Sequence, residues 1–420
     1  MYKILDFILG YIFKFIYYIK FKRNIIYSWL KSPNFNKQLM AYKRNNKKIN
    51  IVFIDTDFVV GGSQKVTIDI VARLPVDRFT TVYIATECFG IVKNWKNKFM
   101  EVFDNFIDLR IIRNKGIKLL NILSFIRPNI VVIVNSKIAY SIAPKIKKKF
   151  PDIYLIDIIH GTFDVKLKNI ISKECIESFD KRITVSYGLR DIILNEFEIE
   201  DSILGYEDKV ICIQNGVDIQ PDVKGLNDFS FRDNLNIPHT SFVVCFIGSI
   251  ADHKDPLSVI NMAKMAKNRK DLQFLIVGEG PLERNLNYQI YKNDLFDVVH
   301  YLGFSDDVSQ IIHESNVLIM PSKIESMGLV ILDAMVKGKP TIVANVGNQS
   351  EIIKNEINGY LVARDNKMVE NFVNNIFRLM NDNNLYERIK NNALITVKKD
   401  FDVEISVKKY LNLFEELFLD

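Results

Sequence analysis

Short apolar runs alternate with amphipathic stretches along most of this chain, separated by polar or glycine-bearing turns. The runs at 51–54, 81–85, 129–134, 154–159, 182–185 and 210–213 are too short for helices, and their branched side chains predict buried strands. A second set follows at 242–248, 272–277, 299–303, 317–320 and 341–344. Between them lie patterns of helical period, such as Val66, Ile70, Val71 and Leu74. Strand and helix in strict alternation predict an α/β protein with parallel sheets. A polar stretch through Pro221 and Gly225 divides the two sets, which predicts two domains, 49–222 and 236–400. The last residues, 401–420, carry helical period from Val403 to Leu419 and form a separate terminal helix.

The first thirty residues follow a different pattern. They are rich in Ile, Phe and Tyr, and Lys3, Asp6, Gly10 and Lys14 fall on one narrow helical stripe. Asp6 and Lys14 interrupt the apolar region, which argues against a signal peptide. Sixteen residues, 4–19, with two charges inside are short of the roughly 20 that a membrane span needs. A helix lying in a membrane interface fits better, with its lysines toward anionic head groups. Residues 31–48 are polar and basic and predict a linker.

Charge sharpens this division. The chain of 420 residues has a formal net charge of +6, yet residues 1–48 alone hold eleven Lys or Arg against the single acid Asp6. The remainder is therefore weakly acidic, which turns the basic partner surface toward an anionic membrane at 1–30 and away from nucleic acid. With 25% charged and 48% hydrophobic residues the composition is that of a folded protein. Cys88, Cys175, Cys212 and Cys245 are widely spaced and lie mostly in apolar runs, as buried free thiols of a reducing compartment do. The histidines show no metal-ligand spacing, and no metal site is expected.

The densest candidate chemistry lies at 316–351. An apolar run stops at Pro321 and Ser322, a loop of Glu325, Ser326, Met327 and Gly328 follows, and a helix begins at Leu329 and Val330. Such a helix start offers unpaired N–H groups and the positive end of its dipole, a natural anion seat. Glu325 stands on the loop and Asp333 eight positions on, about two turns along the helix, so that both carboxylates can serve one ligand. An ordinary strand–helix–strand unit with two solvated acids has the same pattern. Elsewhere, Gly61 and Gly62 mark the first strand-to-helix turn, where backbone can approach a phosphate or sugar closely. His160 stands at a strand end beside Gly161, and Gly248 and Lys254 follow the strand at 242–248.

Together, Pro-Ser-x-x-Glu, Gly328, Leu-Val, the acid at 333, Ala-Met, Gly-x-Pro and Gly347-x-x-x-Glu351 resemble the donor signature of glycosyltransferase family 4, retaining enzymes of GT-B fold. The resemblance runs over roughly 50–400. It implies two Rossmann-like domains with parallel sheets facing across a cleft, and a C-terminal helix crossing back to the first domain. It further implies that the Gly61-Gly62 backbone faces this cleft, that His160 contacts the donor sugar near its reacting carbon, and that Lys254 grips the donor diphosphate. By the same resemblance the strand edge at Leu302 receives the nucleobase, Gly248 lines the diphosphate site, Glu325 orients sugar hydroxyls, and Asp333 holds the ribose. Ser249 stands where the family has an Arg, Asp333 where it has a second Glu, and Ser326-Met327 where it has Gly-Phe. Lys323 is a candidate replacement for the missing Arg charge.

The expectation is a retaining, metal-independent glycosyltransferase that needs no cofactor beyond its nucleotide-sugar donor. The anchor suggests a glycan or lipid-linked acceptor at the cytoplasmic membrane face, as in surface polysaccharide synthesis. Ser249 and Asp333 leave open a non-catalytic, donor-binding partner subunit, and the same two-domain fold leaves open a nucleotide-sugar epimerase.

Overall fold

The computed structural model describes residues 47–57, 61–87, 96–110, 114–161, 172–198, 206–220 and 230–419. The helix expected over 1–30, nearly all of the basic linker and Cys88 lie outside these residues.

The apolar runs form two parallel sheets. The first contains β1 (Ile49–Asp55), β2 (Phe79–Ala85), β3 (Asn105–Asp108), β4 (Ile130–Val134), β5 (Tyr154–Ile159), β6 (Lys181–Thr184) and β7 (Val210–Cys212), in the order β3-β2-β1-β4-β5-β6-β7. The second contains β8 (Phe242–Ile247), β9 (Leu272–Val277), β10 (Val299–Gly303), β11 (Val317–Met320), β12 (Thr341–Ala344) and β13 (Tyr360–Val362), in the order β10-β9-β8-β11-β12-β13. Every strand pair is parallel; β1, β4 and β11 are buried along their whole length and β8 along all but its two end residues, which is why they appear as continuous apolar runs. Two strands escape the sequence pattern, β3 (NFID) and β13 (YLV). Both are edge strands of three or four residues, paired on one side only.

Each sheet reverses its winding direction once, between β1 and β4 in the first and between β8 and β11 in the second. Ligands of open parallel sheets bind beyond the carboxyl ends of strands at such a reversal, because the flanking loops diverge there and leave a crevice. The loops that leave β1, β8 and β11 carry Gly61-Gly62, Lys254 and Glu325 respectively. Five helices frame this region: α1 (Gly62–Val71), α2 (Tyr187–Glu198), α3 (Leu329–Val336), α4 (Gln349–Ile352) and α5 (Val403–Leu419).

Helix α5 returns to the first domain. Phe414 is fully buried there, edge-on to Phe53 of β1 at 6.5 Å and tilted against Tyr410 at 6.1 Å. The chain crosses at the Asn215–Asp218 turn, where Val217 N donates to Phe401 O and Val403 N donates to Val217 O, both at 2.9 Å. A side chain at Gly216 would begin 2.5 Å from the Val403 backbone, so only glycine permits the crossing. Inside the first domain, the guanidinium of Arg182 on β6 meets the fully buried Asp157 of β5 at 2.8 Å, and the Tyr140 hydroxyl donates to the same carboxylate.

Candidate functional site

Glu325 leaves β11 on a loop whose position is set from outside. The loop's carbonyl at Glu325 lies so close to Gly347 that a Cβ there would sit 1.9 Å from it, and Gly347 adopts φ +56°, a left-handed conformation that favours glycine. The Glu325 carboxylate is 8% exposed and pairs with the ammonium of Lys254, with Ser322 Oγ at 3.4 Å. Lys254 reaches it from a short 3-10 turn, Asp252–Lys254, just past β8. The two loops at the β8/β11 reversal are thus tied together by a charged pair. Gly248, at the start of the same loop, lies beside the Lys254 side-chain stem and under Gly278.

Gly328, with φ +63°, is the N-cap of α3, and Leu329 and Val330 open the helix. No side chain caps its first N–H groups. Gln349 of α4 stands next to them, its Oε1 3.5 Å from the point where a Gly328 side chain would begin. Gln349 is 1% exposed, and neither its Oε1 nor its Nε2 has a hydrogen-bond partner among the described residues. A buried amide left without partners costs about 1–3 kcal/mol per group.

The first domain closes over α3 from the other side. Gly62 approaches Leu329 so nearly that an added Cβ would touch Leu329 Cδ1 at 3.3 Å. One turn into α1, Lys65 extends its ammonium to Asp333, Nζ to Oδ1 3.0 Å, with both side chains about a third exposed. Burial alone would lower the Lys65 pKa, but the carboxylates of Asp333 and Asp69 outweigh it and hold the ammonium above its ordinary value. Met327 is buried and accepts the Asn215 amide at its sulfur, 3.2 Å, so this side chain serves the crossing between domains, while Ser326 beside it is half-buried. Glu351 of α4 caps α2 of the first domain, accepting from Tyr187 N at 3.1 Å, Gly188 N at 2.8 Å and Gln214 Nε2 at 2.7 Å.

His160 follows β5 on the first-domain side. Its Nε2 is buried with no partner among the described residues, and burial pushes the imidazole pKa down to about 4, so the ring is neutral near pH 7. Leu302 lies in β10, the edge strand of the second sheet, where it is half-buried against the core. Ser249 Oγ lies 3.3 Å from His253 Nε2. Lys323 pairs with exposed Asp252 at 2.6 Å. Lys65, Gln349 and the capping role of Glu351 are not legible in the local pattern. For Lys65 the available signal is its position three residues after Gly62, on the turn that faces the cleft.

Two parallel-sheet Rossmann-like domains, facing across a cleft and locked by a returning C-terminal helix, make this a GT-B protein. HepE of Anabaena, solved in complex with UDP, superposes with a TM-score of 0.71 at 18% identity, over 88% of this chain and all of that one. Residues 227–395, which make up most of the second domain, match the family described as glycosyl transferases group 1. An Escherichia coli UDP-Gal:alpha-D-GlcNAc-diphosphoundecaprenol alpha-1,3-galactosyltransferase is 29% identical over 218 residues, 50% of this chain and 55% of that protein. The N-acetyl-alpha-D-glucosaminyl L-malate synthase of Bacillus anthracis is 25% identical over 276 residues, 64% of this chain and 69% of that protein. The chain therefore spans little more than half the length of the first of these relatives.

Proposed function

We propose that this protein is a retaining, metal-independent glycosyltransferase that moves a sugar from a nucleotide-sugar donor to a glycan or lipid-linked acceptor. The observation that carries the proposal is the convergence at α3 of an uncapped helix start, the Lys254–Glu325 pair and the unpartnered amide of Gln349. In this reading the departing diphosphate lies against the α3 N-terminus and Lys254, which together take up its charge. Hydroxyls of the sugar and ribose donate to Glu325 and Asp333, and His160, as a neutral ring, bonds the sugar near its reacting carbon. The acceptor then attacks on the face that the diphosphate leaves, which preserves the anomeric configuration. The UDP held by HepE makes a uridine donor the first to try. An undecaprenol-linked substrate in the galactosyltransferase relative and the basic, apolar stretch at 1–30 support a lipid-linked acceptor at the cytoplasmic membrane face.

Thermal unfolding in EDTA with UDP-, GDP-, ADP- and CMP-sugars tests the donor site. One nucleotide class is expected to stabilise the protein by about 2.7 kcal/mol at a hundred times its Kd. Lys254→Ala is expected to abolish the shift. A wild-type melting point that no donor moves, even with Mg²⁺ restored, would count against the donor site. Stabilisation without transfer to any acceptor would favour the partner-subunit reading to which Ser249 points.

A further inference from the structure

The two acids that flank α3 are each held by a lysine, and the lysines come from different domains. Glu325 is paired with Lys254 of the second domain, Asp333 with Lys65 of the first. Other cations nearby have partners that a donor does not need. Lys323 is bound to exposed Asp252, and Arg364 is bound to Asp255 at 2.7 Å and to the Pro321 carbonyl at 2.8 Å.

We infer that Lys65 is the second cation of the donor diphosphate, and that the donor enters by exchanging partners with both ion pairs. This rests on the donor-site reading above. Ribose and sugar hydroxyls donate hydrogen bonds, which suits them to the carboxylates of Asp333 and Glu325. Phosphoryl oxygens only accept, which suits them to the two released ammonium groups. The exchange keeps partners matched: a sugar-nucleotide diphosphate carries one negative charge on each phosphoryl group, Lys254 takes one with help from about half a charge at the helix end, and donor hydroxyls replace the lysines on Glu325 and Asp333. Lys65 takes the other charge.

The reach fits as well. Asp333 lies four residues past Leu329, about 6 Å along the helix axis, close to the length of an extended lysine side chain. Lys65 N donates to Gly61 O at 3.0 Å, so the side chain springs from the first turn of α1, next to the Gly62–Leu329 contact. Side-chain rotation alone carries Nζ from Asp333 toward the α3 N-terminus. The unpartnered Gln349 amide beside Gly328 marks the same end of the helix as the ligand's position.

Calorimetric titration of the full chain with UDP and with uridine separates the diphosphate from the ribose. Lys65→Ala is expected to weaken UDP at least tenfold and to leave uridine unchanged or tighter, since Asp333 loses its competitor. Lys65→Arg restores most of the UDP affinity. Asp333→Asn shows the opposite pattern and weakens uridine and UDP alike. A Lys65→Ala protein that melts as the wild type does and binds UDP equally well overturns the inference alone. Equal losses for uridine and UDP in Lys65→Ala also overturn it, because the lysine then acts only by holding Asp333. A wild-type chain that binds none of UDP, GDP and ADP overturns the donor-site reading and this inference with it.

Discussion

At the residue scale, two buried titratable groups on the first-domain side give opposite pH signatures. Asp55, at the end of β1, is fully buried, and burial raises its carboxyl from 3.8 to about 7 despite hydrogen bonds from Thr56 and Gln64. The folded protein therefore holds a proton there that the unfolded chain has released. Its contribution is fully present below pH 3.8 and is lost as pH rises to about 7, on the order of 4 kcal/mol across the window. His160 is shifted down from 6.5 to about 4, so its contribution is present above pH 6.5 and is lost as pH falls toward 4. The two slopes offset each other in the wild type. In denaturant titrations at a series of pH values, Asp55→Asn should make stability rise more steeply from pH 4 to 7, and His160→Asn should make it fall. Parallel wild-type and variant curves would mean that neither group is shifted. Because Gln64 links Asp55 to the first turn of α1, the same carboxyl positions the Gly61-Gly62 turn.

At the element scale, helix ends do the joining. Glu351 places a carboxylate on the N-terminus of α2, a helix of 12 residues that belongs to the other domain. A charge so placed stabilises the contact by about 0.3–2 kcal/mol through the helix dipole and the two N–H bonds. Glu351→Gln should weaken the closed arrangement by about 1–2 kcal/mol, observed as a larger radius of gyration in small-angle scattering. Identical scattering curves would show that Glu351 does not hold the domains together. Much of the element scale was legible beforehand. The helix at Leu329–Val336 and the strands β5, β9, β10, β11 and β12 follow their apolar patterns residue for residue, because apolar side chains fill most of their positions. Strands β3 and β13 did not stand out, since an edge strand borrows its stability from a single neighbour and needs few apolar residues of its own.

At the scale of the whole molecule, the returning helix α5 binds the end of the chain to its beginning. Arg73 of the first domain pairs with Asp218 of the crossing at 2.7 Å and with Glu404 of α5 at 2.8 Å, while Phe414 fills the space against Phe53. The ion pairs are largely solvated and contribute little. The phenyl ring is buried together with Val407, Tyr410, Leu413 and Leu417 of the same helix, and Phe414→Ala should destabilise the first domain by about 3–5 kcal/mol in chemical denaturation. A change below 1 kcal/mol would mean that α5 is docked without the help of this ring. Among the described residues no helix is long and apolar enough to cross a membrane.

The sequence by itself determined the alternation of strand and helix, the division into two sheets, and the loop chemistry of Glu325, Gly328 and Asp333. These follow from hydrophobic period and turn residues, which are local properties of the chain. The tertiary structure decided what each charged group faces. Lys65 and Asp333 stand 268 positions apart, Tyr187 and Glu351 164 apart, and Lys254 and Glu325 71 apart. A pairing over such distances leaves no periodic trace, because it depends on two loops meeting only after both sheets have formed. For the same reason Lys323, two residues from Glu325, reaches Asp252, while the remote Lys65 lies against the acid of the cleft.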